Sequence, residues 1–85
     1  MLLNYNMSRR GKADIIKDIL ELCRNPVNKT AIVYQCNLNF KIVKRYFNIC
    51  FTNGWLQKID NKYQTTSLGI DAIDMLIPVV NNLQF

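Results

Sequence analysis

The sequence has no histidine and only three glycines and three cysteines among its 85 residues. Without histidine or a Cys-x-x-Cys pair the usual zinc ligand sets are missing, so we predict no metal site and no cofactor. Cys23, Cys36 and Cys50 are odd in number and lie among apolar neighbours, which indicates buried thiols in a reducing compartment. There is no glycine-rich phosphate loop and no nucleophile paired with a base, so the sequence predicts that the protein is not an enzyme.

The chain also lacks an apolar run of the roughly 20 residues that cross a bilayer. Its first residues carry no positively charged start and no cleavage signal. We therefore expect a cytoplasmic protein with no membrane partner. Residues 1–7 are expected to form a flexible leader, or else to result from a start codon upstream of Met7. A chain of 85 residues has room for one hydrophobic core and hence for one compact body.

Acidic side chains are scarce over most of the chain. Residues 1–65 hold all 11 basic side chains and four acids, which gives +7, whereas residues 66–85 hold only Asp71 and Asp74, which gives −2. A basic body of this kind is suited to a polyanion such as a nucleic acid. The apolar tail is suited to a hydrophobic partner.

Apolar residues at helical spacing predict a first helix from about Arg9 to Arg24, capped by Ser8 and ended by Asn25-Pro26. A short helical segment follows over Asn28–Cys36. The next three residues, Asn37-Leu38-Asn39, form a tight connection in which Asn39 is the N-cap of a third helix.

This third helix, about Phe40 to Asn53, has two distinct faces and ends at Gly54. The predicted inner face consists of Val43, Phe47, Cys50 and Phe51. The outer face lies within roughly 100° of arc and consists of Lys41, Lys44, Arg45, Asn48 and Thr52. Tyr46 and Trp55 are also expected in the core. Tyr34, on the short helical segment, is instead placed so that its hydroxyl can contact a phosphate.

Two short strands, Leu56–Ile59 and Tyr63–Thr65, flank the turn residues 60–62 and predict a hairpin. A last helix runs from about Leu68 to Leu83, capped by Thr66 or Ser67. The predicted fold is mainly α with a small β-hairpin, namely a winged helix-turn-helix over residues 8–66 followed by a dimerisation helix over residues 67–85.

A helix fits the major groove of duplex DNA and a narrow β-ribbon reaches the backbone or minor groove beside it. In the third helix Lys44 or Arg45 is placed to read a guanine edge and Asn48 an adenine edge. The alternative is a solvated charged face with no ligand. The full set of predicted DNA-binding residues is Arg9, Arg10, Lys29, Thr30, Asn39, Phe40, Lys41, Lys44, Arg45, Asn48, Lys58, Asn61 and Lys62.

The last helix carries apolar residues at the 3, 4, 3 spacing of a coiled coil. This apolar seam, which we expect to pair two copies of the chain, consists of Ile73, Leu76, Ile77, Val80 and Leu83. The alternative is a long helix that lies flat on its own core. Pro78 removes one helical hydrogen bond and is expected to kink the helix.

Three stretches carry a family resemblance: residues 14–20; residues 28–46 with Asn28-Lys29-Thr30 and Asn37-Leu38-Asn39-Phe40; and Asn53-Gly54-Trp55-Leu56 with Tyr63, Thr66 and Gly69. They resemble small archaeal winged helix-turn-helix DNA-binding proteins, among them the ten-kilodalton Sulfolobus chromatin-type proteins, which dimerise through a C-terminal antiparallel coiled coil, and archaeal virus and plasmid regulators.

The resemblance covers about residues 8–77 and implies a groove-reading helix at Asn39–Asn53 and a wing at Leu56–Thr65. It also implies a nucleoid-associated protein of an archaeal cell, virus or plasmid. The chain departs from the family in its short tail, which contains Pro78.

Together these observations predict a homodimeric transcriptional regulator that binds double-stranded DNA. One alternative is an architectural protein of the same fold that coats DNA without regard to sequence. Another is a winged helix that binds only proteins.

Overall fold

The computed structural model describes residues 11–83, and the side chains of residues 11–75. In chain order the elements are α1 (Lys12–Leu22), β1 (Val27–Asn28), α2 (Lys29–Gln35), α3 (Phe40–Thr52), β2 (Leu56–Ile59), β3 (Lys62–Thr65) and α4 (Ser67–Leu83).

Helix α1 begins later than predicted. Its N-cap is Gly11, which has extended backbone angles, and the Asp14 carboxylate accepts a hydrogen bond from the Gly11 amide at 3.1 Å. The prediction of a start near Arg9 is therefore wrong, because the first turn is already satisfied at Gly11; Ser8 lies outside the described residues. The inner face of the helix buries Ile16, Ile19 and Leu20.

The connection between α2 and α3 follows the prediction. Asn28 caps α2, with its side-chain oxygen accepting from the Ala31 amide at 2.8 Å, and Asn39 caps α3 by accepting from the Ile42 amide at 2.7 Å. Asn37 takes a left-handed conformation with φ 56°, one that asparagine tolerates well. The two helices and their tight turn form the predicted helix-turn-helix.

The sheet has three strands in the order β1-β3-β2, all antiparallel. Gly54 ends the turn after α3 with φ 74°, the left-handed conformation that glycine adopts without strain. The hairpin β2–β3 then forms with Ile59 opposite Lys62, so the turn holds only residues 60 and 61 and Lys62 belongs to the strand. Strand β1 was not predicted.

The helices and the sheet share a single hydrophobic core. Residues from α1, α2, α3, the sheet and α4 are buried together: Ile16, Ile19, Leu20, Cys23, Ile32, Val33, Cys36, Val43, Tyr46, Phe47, Cys50, Leu56, Tyr63, Ala72 and Ile73. The Phe47 and Tyr63 rings lie 4.5 Å apart between centroids and join α3 to the hairpin. Phe51, predicted inside, is 40% exposed; it lies at the margin of the core, where its ring centroid is 6.2 Å from that of Phe47 and 6.0 Å from that of Tyr63.

The last helix packs against α1, and Ala72 and Ile73 from its first half lie in the core. Its N-terminus is capped by Thr66, whose hydroxyl accepts from the Gly69 amide at 3.1 Å. The helix continues through Pro78 to Leu83. Ile73 is 1% exposed in the core of its own chain, so its assignment to a seam between two copies is wrong. Within the described part of the chain, no helix is long and apolar enough to span a membrane.

Candidate nucleic-acid interface

Helix α3 presents its predicted outer face to solvent. One side of the helix is anchored in the core by Val43, Tyr46, Phe47 and Cys50. On the other side Lys41, Lys44, Arg45, Asn48 and Thr52 are all exposed. The helix that carries this cationic face is capped by Asn39 at its N-terminus and is followed by the left-handed Gly54 at the other end.

Among the described residues, the cations of this face have no acidic partners. In the stretch of chain that the structure describes, Lys41, Lys44 and Arg45 form no ion pair, whereas Arg24, two residues after the end of α1, pairs with Glu21 at 2.8 Å. Residues 25–65 carry six basic side chains and one acid, while residues 11–24 carry three of each. Positive charge therefore belongs to the helix-turn-helix and wing, and not to α1 or α4.

The hairpin carries its two lysines on opposite faces. Lys58 lies opposite Tyr63, with its Nζ 5.8 Å from the centroid of that ring, whereas Lys62 lies opposite Ile59. All the outer residues of the tip, Ile59 to Lys62, are exposed. Asp60 occupies the turn in a left-handed conformation with φ 55°. The hairpin thus offers one cation on each face.

Strand β1 ties the wing to the helix-turn-helix. Asn28 lies opposite Lys62 in the sheet, and Lys29 follows it directly as the first residue of α2. Two basic residues that are 33 positions apart in the sequence, Lys29 and Lys62, are therefore close along the backbone pairing, and both are exposed. Sequence analysis missed this pairing because a two-residue strand leaves no alternating pattern.

Some of the remaining predicted site residues are exposed, one is engaged in a helix cap, and others lie outside the described part of the chain. Thr30 and Asn61 are exposed, and Phe40 is 54% exposed. The side-chain oxygen of Asn39 is occupied by its own helix cap. Arg9 and Arg10 lie outside the described residues, and so do the side chains of Leu76, Ile77, Val80 and Leu83.

The three cysteines are buried core residues, as predicted. Burial raises the pKa of Cys23 to about 12, helped by neighbouring Cys36 and Cys50, and burial likewise raises the pKa of Cys50 to about 12. Both thiols remain protonated at neutral pH and are poor nucleophiles. Among the described residues no group of three or more potential ligand side chains is arranged to hold a metal ion.

Comparison with known proteins agrees with this architecture. The Winged helix-turn-helix family model matches residues 9–82, almost the whole chain. The chain belongs to the winged helix-turn-helix family. The resemblance to small archaeal winged helix-turn-helix proteins that the sequence predicted is confirmed.

Two relatives are uncharacterized proteins of Methanocaldococcus jannaschii. One is 31% identical over 70 residues, which cover 78% of this chain and 72% of the relative. The second is 34% identical over 62 residues, which cover 72% of this chain and 29% of a longer relative. The crystal structure of Sso10a-2, a DNA-binding protein from Sulfolobus solfataricus, has the same winged helix fold: the TM-score is 0.70 at 24% identity, over 88% of this chain and 86% of that chain.

Proposed function

We propose that the protein binds duplex DNA as a homodimer and regulates transcription, with α3 in the major groove and the hairpin on the backbone or minor groove. The observation that carries this proposal is the exposed face of α3, on which Lys41, Lys44 and Arg45 have no acidic partner among the described residues. Unpaired cations on a rigid helix of this diameter suit a groove lined with phosphates.

The hairpin and the start of α2 extend this surface. Lys58 and Lys62 stand on the two faces of the wing, and Lys29 lies beside Lys62 through the β1–β3 pairing. Lys44 or Arg45, together with Asn48, then meets base edges, while the other cations meet phosphates and fix the register. The family and the fold shared with a DNA-binding protein of Sulfolobus solfataricus support this use of the surface. We propose a binding protein with no catalytic role and no cofactor.

Salt dependence is the first test. We expect the logarithm of the DNA association constant to fall linearly with the logarithm of salt concentration, by about 0.9 for each phosphate neutralised. Roughly four to six contacts per protomer would give a dimer a slope of about −7 to −11. Fluorescence anisotropy with a labelled duplex, in a series of salt concentrations and with random competitor DNA, measures both the slope and the sequence preference.

Each outcome of this series has a distinct meaning. A steep slope with preference for particular sequences supports the regulator. A steep slope with equal affinity for every duplex supports an architectural role. A flat response to salt excludes DNA binding through this face and leaves an interaction with protein.

The dimer is proposed to form through the second half of α4. The first half belongs to the core of its own chain through Ala72 and Ile73, yet the helix has 17 residues and spans roughly 25 Å. In the sequence, Leu76, Val80 and Leu83 continue the same helical spacing toward the end of this helix. Two-fold pairing of this segment would hold two α3 helices in fixed register on two half-sites.

We expect Leu83→Asp to give a folded monomer, because it places a charge in the proposed interface at the end of α4 that is farthest from the core. Sedimentation velocity at tens of micromolar measures the loss of dimer, circular dichroism the retained helix, and anisotropy the loss of most DNA affinity. The matched control is Asn82→Asp, which adds the same charge at a polar neighbour and should remain dimeric. A wild-type protein that sediments as a monomer at these concentrations would show that the proposed dimer does not form.

A further inference from the structure

Phe40 is an aromatic side chain that the fold leaves uncovered. It is 54% exposed, whereas the apolar residues two positions away on either side, Leu38 and Ile42, pack against the core. Among the described residues no other aromatic ring contacts Phe40, unlike Phe51 at the opposite end of the same helix. Phe40 therefore contributes little to the core.

Its place on α3 brings Phe40 to the border of the cationic face. Phe40 is the first residue of the helix, directly after its N-cap Asn39. At about 100° per residue, Phe40 lies roughly 40° around the helix from Lys44, which is one turn further along. The Asn39 cap, with its 2.7 Å hydrogen bond to the Ile42 amide, fixes the backbone from which the ring projects.

The chemistry of a phenyl ring limits what it can recognise in a DNA groove. The ring has no hydrogen-bond donor or strong acceptor, so it cannot bind a phosphate or read the polar edge of a base. The C5 methyl group of thymine is the apolar feature that base pairs present in the major groove, and phenylalanine is one of the side chains that contact it. The N-terminal residues of a recognition helix are those that reach base edges.

We propose that Phe40 is a specificity-determining residue that recognises the methyl group of a thymine in each half-site. This inference rests on the proposed binding of DNA by α3 and adds to it the identity of one base. Lys44 or Arg45 would read a neighbouring pair through hydrogen bonds, while Phe40 selects a T·A pair by apolar contact.

The test uses the protein's own preferred duplex. Wild-type protein selects sequences from a random duplex pool, and each thymine of the selected site is then replaced, one position at a time, by deoxyuridine, which lacks only the methyl group. We expect one position in each half-site at which this replacement weakens binding about fourfold. This factor corresponds to ~0.8 kcal/mol, the free energy of burying one methyl-sized apolar group. The other thymines should be insensitive.

Phe40→Ala should abolish the difference between thymine and deoxyuridine at that position, and Phe40→Leu should retain part of it. Both variants should fold, because the ring lies outside the core; circular dichroism and thermal unfolding check this. The matched control is Tyr34→Ala, which removes a ring that is 77% exposed on α2. Whatever that change does to overall affinity, the ratio between the two bases should stay at the wild-type value.

The outcomes separate this inference from the function on which it rests. Salt-sensitive binding to selected DNA with no position sensitive to deoxyuridine overturns the role of Phe40 and leaves the proposed function intact. The same holds if the sensitivity persists in Phe40→Ala. If selection yields no preferred sequence, the role of Phe40 is overturned as well, and salt-sensitive binding then supports the architectural role in place of the regulator. Failure of wild-type protein to bind any duplex in a salt-dependent way overturns the proposed function itself.

Discussion

Replacing Gly69 with alanine should destabilise the protein by about 2 kcal/mol or more, and lower its melting temperature by roughly 10 °C or more. Gly69 is buried in the first turn of α4, and a Cβ atom there would lie 2.2 Å from the Trp55 carbonyl oxygen and 2.5 Å from the Thr65 Cγ2 atom. Both distances are far inside van der Waals contact. The gain in helix propensity from glycine to alanine, about 1 kcal/mol, is too small to offset such overlap.

The Trp55 carbonyl cannot retreat without loss, because it accepts a hydrogen bond from the Thr66 amide at 2.9 Å. The Thr66 hydroxyl in turn donates to the Gly54 carbonyl at 2.6 Å. Movement of α4 to make room for the methyl group would therefore break the contacts that hold this helix against the end of α3.

Thermal and urea unfolding, followed by circular dichroism, measure the effect. Gly11→Ala is the matched control, since a Cβ at that exposed N-cap would have no neighbour among the described residues nearer than Asp14 Oδ2 at 3.9 Å; it should cost less than about 1 kcal/mol. Adding Thr65→Ser to Gly69→Ala removes the Cγ2 methyl group of Thr65 but keeps its hydroxyl. This double variant should regain only part of the lost stability, because the Trp55 carbonyl oxygen stays too close to the new Cβ. A Gly69→Ala protein as stable as wild type would contradict the close approach of α4 to Trp55.

Local signals in the sequence were sufficient to predict much of this fold. Asn28 and Asn39 are good N-caps in any context, and the helices begin where these residues place them. Gly54 ends the turn after α3 in the conformation expected of it. The exposed face of α3 also follows from spacing alone, because residues three and four apart share one side of a helix.

The features that sequence analysis missed depend on contacts between distant parts of the chain. Strand β1 exists because Val27 and Asn28 meet Tyr63 and Lys62, and no local pattern encodes that meeting. Phe51 follows the helical spacing of the core residues of α3, but it lies at the margin of the core, where its side chain is 40% exposed. Ile73 has coiled-coil spacing, and only the packing of α4 on α1 shows that it serves its own core.

Reversing two charges on α3, with Lys44→Glu and Arg45→Glu together, should weaken DNA binding by about 100-fold or more. Both side chains are exposed and lie opposite the buried face of Val43, Phe47 and Cys50, so the change in folding stability should stay within about 0.5 kcal/mol. Loss of a base contact alone costs roughly 1–3 kcal/mol. New carboxylates facing phosphates add repulsion to that loss.

The control for this variant must carry the same net charge, which falls from +5 to +1. Lys12→Glu with Lys17→Glu makes the same change in net charge on α1, which has two basic and three acidic side chains, and should weaken binding far less. Anisotropy at one fixed salt concentration compares the two proteins, because long-range attraction to DNA is reduced equally in both. Equal losses would mean that overall charge and not the face of α3 determines affinity, and α3 would then have to be abandoned as the recognition helix.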